Sequence, residues 1–263
     1  MTTWWQTYGE MEARLTAPVS ERMVELADLR PGMRVLDLAS GAGEPSLRAA
    51  RRVGPTGHVL GTDIDEAVLE LARARALREG LSNVEFRVAD ATRLAVPEGS
   101  FDAATVRWGL MYIQDVEQVL REVRRALKPG GVLVAALWAE PARVSWATVP
   151  RQALAPYREL PHVSPDVPGA FRFAEQRHLD TFLTRVGFQV ERVEEMEVPV
   201  VEGPDGAAIV AWARTGPMSR LVAGLPAEAQ RGWEENLARA AESLRTGDRL
   251  RLGGVTRLVV ARG

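Results

Sequence analysis

Along the first half of the chain, short unbroken apolar runs alternate with stretches where apolar positions recur every third or fourth residue. This alternation of strand-like and helix-like periods predicts βαβ units. Val19, Met23, Val24, Leu26 and Ala27 form a helical stripe that "RPG" stops. "MRVLDLA" reads as a buried strand between Gly32 and Gly41, and "GHVLGTD", "NVEFRVAD", "FDAATVRW" and "VLVAALW" as the second to fifth strands. A helix is expected from Pro45 to Val53, proline being tolerated in a first turn. Another starts on Asp65 and runs through Glu79 to Gly80. A third starts on Asp115, with Gln118 three residues on in capping-box fashion, runs to Leu127, and is broken by "KPGG".

Strands and helices in this rhythm imply an α/β fold, a doubly wound and mostly parallel sheet covered on both faces. Beyond Trp138 the rhythm weakens. Residues 141–170 hold six of the sixteen prolines and read as a lid or insertion. Glu175 to Val186 is helical, "GFQVERVEEMEV" alternates like an edge strand, 205–247 reads as two helices, and "VTRLVVAR" as a last strand.

Composition narrows the function. At 263 residues with 46% apolar and 26% charged residues, the chain can bury a substantial core as one domain. A net charge of −2 offers no basic footprint for nucleic acid. With no cysteine, disulfides, thiolate nucleophiles and cysteine-ligated metals are excluded, and no metal site is expected. No apolar stretch approaches the ~18–20 residues of a membrane span, so membrane insertion is not expected and the expected location is cytoplasmic.

The chemistry concentrates at strand ends. In "VLDLASGAGEPS", Gly41 and Gly43 follow the first strand and let a ligand approach the backbone, at the end of the sheet where such folds bind ligands. Asp63 ends the second strand about twenty residues later, where an acid accepts both ribose hydroxyls. Asp90 ends the third strand, where a carboxylate can accept from an exocyclic amine. Each aspartate taken singly can equally cap the next turn; the glycine loop and the two aspartates in this order point to a nucleoside. A nicotinamide dinucleotide is the rival. It wants a third glycine where Ser46 stands, and Glu44 adds negative charge beside the expected diphosphate.

With "VLDLASGAGEPS", "GTDID", "VADAT" and "LKPGGVLV" in place, the chain resembles the class I S-adenosylmethionine-dependent methyltransferases. It is most similar to the branch of the ubiquinone/menaquinone-biosynthesis methyltransferases and related small-molecule enzymes of secondary metabolism. The resemblance is specific from Val19 to Trp138. It implies a Rossmann-like seven-stranded sheet of order 3-2-1-4-5-7-6 with the last strand antiparallel. The implied layout is one methyltransferase domain over 1–263, with a helical cap at 1–30, a cofactor-binding core at 31–140, lid insertions at 141–174 and 198–251, and the last strand at 252–263. Where the family commonly has glycine, two residues after the motif aspartate, this chain has Ala39.

The resemblance implies S-adenosyl-L-methionine as cofactor and S-adenosyl-L-homocysteine as product. Asp37, Ala39, Ser40, Gly41 and Gly43 would shape the methionyl pocket, Asp63 would hold the ribose, and Ile64 would lie on the adenine. Asp90 and Ala91 would read the adenine edge, and Arg107 would line the cofactor beside the sulfonium. The acceptor wall is expected from Trp108, Met111, Tyr112, Trp138 and Tyr8, which suits a small aromatic or apolar molecule. O-methylation is favoured, with C- and N-methylation open. For Trp108, Met111 and the N-terminal aromatics, simple core packing is an equal alternative. His58, His162 and His178 are the histidines able to act as a base; His162, in the proline-rich insertion, is the weak candidate. The expected partner is the small-molecule acceptor, and the expected state a monomer or homodimer. A cofactor-binding protein without transferase activity is the second reading, a nicotinamide-dependent oxidoreductase the third.

Overall fold

The computed structural model describes residues 2–160, 164–216 and 218–263. The periodic stripe becomes α2 (Ala17–Leu26), preceded by α1 (Thr2–Leu15). The first βαβ units follow as β1 (Arg34–Leu38), α3 (Ser46–Val53), β2 (His58–Asp63), α4 (Glu66–Arg78) and β3 (Val84–Val88). Next come β4 (Phe101–Arg107), α5 (Val116–Ala126) and β5 (Leu127–Trp138). Then α6 (Ser145–Leu154), α7 (Gln176–Arg185), β6 (Gln189–Gly203), α8 (Gly206–Thr215), α9 (Ser219–Val222) and α10 (Ala227–Glu242) lead to β7 (Arg245–Thr246) and β8 (Arg249–Arg262).

The sheet order is β3-β2-β1-β4-β5-β8-β6, with β7 paired to β8 off that path. β1 to β5 pair in parallel, and β8 runs antiparallel to β5, Val134 lying opposite Val260. Without the two-residue β7, this is the seven-strand order that the resemblance implies. The "KPGG" break takes the form of a register jump: Phe101 pairs with Leu127 but Ala103 with Val132, so residues 128–131 bulge out. Both expected caps are made. Ala67 N donates to Asp65 Oδ1 at 3.1 Å, and Gln118 N to Asp115 Oδ1 at 3.0 Å.

The chain divides into two compact units. One comprises Ala17–Trp138, Ser164–Met196 and Thr256–Gly263. Its core lies on both faces of the sheet; Leu47, Leu69, Ala72, Ala76 and Phe86, for example, pack as a buried cluster. Gly61 in β2 is what allows α3 and β3 to close on one another. A Cβ there would stand 2.6 Å from the Phe86 ring and 2.9 Å from Ser46 Oγ.

The other unit comprises Met1–Thr16, Ala139–Val163 and Glu197–Val255. Here two differences from the sequence expectation arise. The 141–170 region contains a helix, α6, despite its internal Pro150. Trp233, fully buried in α10, donates from Nε1 to Pro150 O at 3.1 Å, so tertiary packing overrides the low helix propensity. And 205–247 holds three helices, the extra one a single turn, plus the β7 strand. α8 and α10 approach closely because Gly206 faces Ala238, where a Cβ would meet backbone at 2.7 Å.

Candidate cofactor and acceptor site

Asp37, at the end of β1, is fully buried. Its Oδ2 accepts from Ser46 N at 3.1 Å and Ser46 Oγ at 2.5 Å, and its Oδ1 from Thr105 Oγ1 at 2.7 Å. Burial pushes this carboxyl up to about 6, against the opposing pull of the Ser46 and Thr105 hydroxyls and Arg107. Asp37 therefore shapes the loop by tying β1 to the start of α3 and to β4, and its carboxylate is spent inside the protein.

The loop that follows is backbone-strained. Ala39 has φ +50°, Gly41 +52° and Gly43 +102°. Left-handed backbone is cheap for glycine and costs an alanine roughly 1–2 kcal/mol. Ser40 is buried with its hydroxyl lacking a hydrogen-bond partner, while its amide donates to Thr62 O at 2.9 Å. A buried orphan hydroxyl beside side-chain-free backbone is a place for a polar ligand group.

Asp63 closes the arrangement. Its Oδ2 accepts from Gly41 N at 3.0 Å and its Oδ1 from Asp65 N at 3.1 Å. One bond on each oxygen leaves each a further lone pair, which is what a pair of ribose hydroxyls requires. Ile64 beside it is 75% exposed, an apolar surface open to an adenine face. Asp90 is exposed and accepts on Oδ1 from Thr92 N and Thr92 Oγ1, both at 2.8 Å. These bonds, the amide's first, hold it below the usual carboxylate range. Its Oδ1 thus makes the turn-capping bonds of the plainer alternative. Ala91 beside it is half-buried.

At Glu44 the structure departs from the sequence expectation. Glu44 adds no bare negative charge to the loop. It is buried, and accepts from Arg48 Nε at 2.9 Å and Arg75 Nη2 at 3.1 Å. Ser46 keeps its weight against a dinucleotide, because its hydroxyl is committed to Asp37.

After β4, Trp108 also adopts left-handed backbone, φ +55°, which is rare for a bulky residue and typical of functional loops. Its ring stacks on Trp138 with centroids 4.5 Å apart, and the Arg107 guanidinium lies over it at 4.8 Å. Its Nε1 donates to Thr256 Oγ1 at 2.8 Å. Three contacts make this indole a rigid wall. Tyr112 is 52% exposed, yet burial of its phenol pushes that group up to about 12.

The expected wall residue Met111 is fully buried, and Trp138 is 3% exposed, so both back the wall as packed side chains. Tyr8 lies in α1, its ring 6.0 Å from Trp4 within the other unit. His58, at the start of β2, is held below its ordinary value by burial and then by Arg34. His178 stacks on Phe182 at 5.5 Å. The candidate base His162 lies outside the described residues.

Sequence reasoning missed Arg172. This buried arginine donates from Nη1 to Ile113 O, and from both Nη atoms to Gln114 O at 3.3 Å, while Gly169 N donates to Met111 O at 3.0 Å. The 164–174 segment thereby clamps the turn carrying Tyr112. Nothing in the local pattern around "GAFRFAEQ" announces it; its partners lie nearly sixty residues upstream.

Residues 29–151 match the family model described as a methyltransferase domain, a little under half of the chain. The glycine loop, the three aspartates and the Trp108 turn all fall within that span, the segment that is similar to methyltransferase domains. The chain is similar there to the ubiquinone/menaquinone biosynthesis C-methyltransferase UbiE of Ectopseudomonas mendocina. The two are 41% identical over 127 residues, 48% of this chain and 50% of that protein. The chain thus matches about half the length of such curated relatives. Among solved structures, it shares its fold with a SAM-dependent methyltransferase from Aquifex aeolicus (TM-score 0.55, 21% identity, 72% of this chain and 90% of that one). It also shares it with the [4+2]-cyclase SpnF (TM-score 0.59, 22% identity, 93% and 79%). Among the described residues no helix is long and apolar enough to cross a membrane, and no acid or histidine cluster suits a metal ion.

Proposed function

We propose that this protein transfers the methyl group of S-adenosylmethionine to a small aromatic or otherwise apolar acceptor. The observation that carries the reading is the junction of Gly41, Asp63 and the orphaned Ser40 hydroxyl, which offers bare backbone, paired ribose acceptors and an unfilled polar partner together. The residues fit the cofactor: Ser40, Gly41 and Gly43 beside the methionyl end, Asp63 on the ribose, Ile64 on the adenine face, and Asp90 with Ala91 at its edge.

When bound, the cofactor supplies an electrophilic methyl group. The chain's own task is to align the acceptor with it and keep water out, and alignment is worth on the order of 7–11 kcal/mol. The fixed Trp108 and the half-exposed Tyr112 serve that task. At neutral pH the Tyr112 phenol keeps its proton and can donate a hydrogen bond to an acceptor oxygen. The proposed acceptor atom is an oxygen or carbon of a phenol- or quinol-type ring, with nitrogen as a further alternative. Oxygen follows from the sequence reading, and carbon has the support of the relatives' name. The segment they share is the cofactor half, which leaves the choice of atom to this chain's own lid residues.

Calorimetry with S-adenosylmethionine and S-adenosylhomocysteine tests the cofactor. Binding of both is expected; binding of NADH with neither of them would overturn the reading. A screen of phenols, quinols and amines with labelled cofactor then separates transferase from non-transferring binder. The fold shared with a cyclase makes that second step necessary, since no labelled product with any acceptor would favour the binder.

A further inference from the structure

The indole of Trp108 is held by contacts of two kinds. Its stacking on Trp138, with 4.5 Å between centroids and 12° between planes, fixes the plane of the ring. Stacked rings tolerate sliding, since offset arrangements are as favourable as any. The Arg107 guanidinium, 4.8 Å from the ring centroid, is likewise a contact to a face. Where the ring lies within its plane is set by a directed bond, the one from Nε1 to Thr256 Oγ1 at 2.8 Å.

Thr256 is built to receive that bond. It is fully buried on β8 and lies directly opposite Trp138 in the β5–β8 ladder, so threonine and tryptophan share one face of the sheet. Its hydroxyl donates to Leu137 O at 2.9 Å. With its single proton spent there, the oxygen turns its lone pairs to the indole and can only accept. The run from Trp108 Nε1 through Thr256 Oγ1 to Leu137 O therefore has one direction, and it ends on the residue before the stacking partner. The same bond uses up the indole's one donor, so what Trp108 offers an acceptor is carbon. Left-handed backbone at Trp108 persists because its surroundings hold it in this way. Thr256 lies outside residues 29–151, the segment similar to methyltransferase domains.

We propose that Thr256 is a positioning residue for methyl transfer. Acting through Trp108, it fixes the indole within its plane and so sets where an apolar acceptor ring comes to rest against it. This rests on the function proposed above. The rate is steep in such placement, a displacement of about 1 Å being able to cost about a hundredfold.

The test uses Thr256→Val, which removes the accepting oxygen and keeps the branched shape, and Thr256→Ser, which keeps the oxygen. In protein carrying isotope-labelled tryptophan, the Trp108 indole N–H signal is identified by its loss in Trp108→Phe. It should be protected from solvent exchange in the wild type and Thr256→Ser, and unprotected in Thr256→Val. Turnover is followed with labelled S-adenosylmethionine and with catechol, hydroquinone and naphthol as acceptors. In Thr256→Val, kcat should fall about tenfold or more, with the KM for S-adenosylmethionine and the affinity for S-adenosylhomocysteine unchanged. Thr256→Ser should restore most of the turnover. In the Trp108→Phe background, Thr256→Val should cost no further turnover, because the side chain through which it acts is gone. A threonine that merely stabilised β8 would lower the melting temperature in both backgrounds and leave turnover per folded molecule alone. If Thr256→Val does not fold, Thr256→Ala removes the same oxygen with less bulk, and the same losses are expected. The inference is overturned if Thr256→Val keeps the protected indole signal or the kcat of the wild type, or if it lowers turnover equally in the Trp108→Phe background. A wild type that methylates no phenol, quinol or amine defeats the proposed function instead, and the positioning role with it.

Discussion

Ala39 and Gly109 are seventy residues apart and meet in the first unit. A Cβ built on Gly109 would stand 2.3 Å from the Cβ of Ala39, against ordinary carbon contacts of about 3.5–4.0 Å. Both atoms hang directly from backbone, so no rotamer change relieves the overlap. The other neighbours would be tolerant, with Val106 Cγ2 at 3.4 Å and Ala39 Cα at 3.7 Å. Gly109 itself has φ −91°, which alanine accepts without strain. Gly109→Ala should thus destabilise through a single contact, by roughly the 1–3 kcal/mol of overpacking. For a chain of this size that is a melting shift of about 2–4 °C per kcal/mol. Ala39→Gly alone relieves left-handed strain of roughly 1–2 kcal/mol but frees the unfolded chain by about 0.4–1 kcal/mol, so it should be close to neutral. Introducing Gly109→Ala in the Ala39→Gly background should then cost almost nothing. The assay is urea unfolding of the four proteins as a double-mutant cycle, with an expected coupling of about 1–3 kcal/mol. Additivity within about 0.5 kcal/mol, the behaviour of independent sites, would refute the steric account.

Further outcomes follow from the same geometry. Asp63→Ala should weaken S-adenosylhomocysteine binding by about 1–3 kcal/mol in calorimetry, and unchanged affinity removes the ribose assignment. Asp37 has its carboxyl raised in the folded state to about 6 from an ordinary 3.8. The folded form therefore binds the extra proton, and stability should decline as pH rises from about 4 to 6, by about 3 kcal/mol at one pKa unit per 1.36 kcal/mol. Urea midpoints of Asp37→Asn against pH should lack that decline, and an identical slope would show that Asp37 is not its source. Arg172→Met leaves the Ile113 and Gln114 carbonyls without their charged donor and should cost about 1.5–3 kcal/mol. Hydrogen exchange should localise the loosening to residues 110–114, and protection unchanged there would refute the clamp. Gly61→Ala forces a Cβ to within 2.6 Å of Phe86 and should lower the urea midpoint by an amount matching about 1–3 kcal/mol; an unchanged midpoint would show that α3 and β3 have slack.

The half of the chain that was legible is the half whose elements are determined locally. Asp65 and Asp115 announce helix starts by residue type and spacing, and both caps form. β1 to β5 are apolar runs bounded by breakers, and each lies where its run predicts. What stayed illegible depends on distant partners. α6 is a helix with proline in its interior because α10 packs on it. β6 continues through Pro199 to Gly203, past the point where the alternating pattern ends. At the candidate site, backbone freedom and strand-end acids have a sequence signature, and the structure joins the loop to Asp63 through the Gly41 amide. The burial of Met111, the neutralisation of Glu44 by Arg48 and Arg75, and the reach of Arg172 are products of tertiary packing.

β8 is synthesised after β6 yet lies between β5 and β6 in the sheet. Its Thr256 is also the residue that pins the indole of Trp108, 148 positions earlier. A nascent chain emerging from the ribosome can therefore assemble the glycine loop and its aspartates well before it can set the tryptophan opposite. The loop would take shape early in biosynthesis, and a fixed Trp108 indole only once the penultimate slot of the sheet is filled.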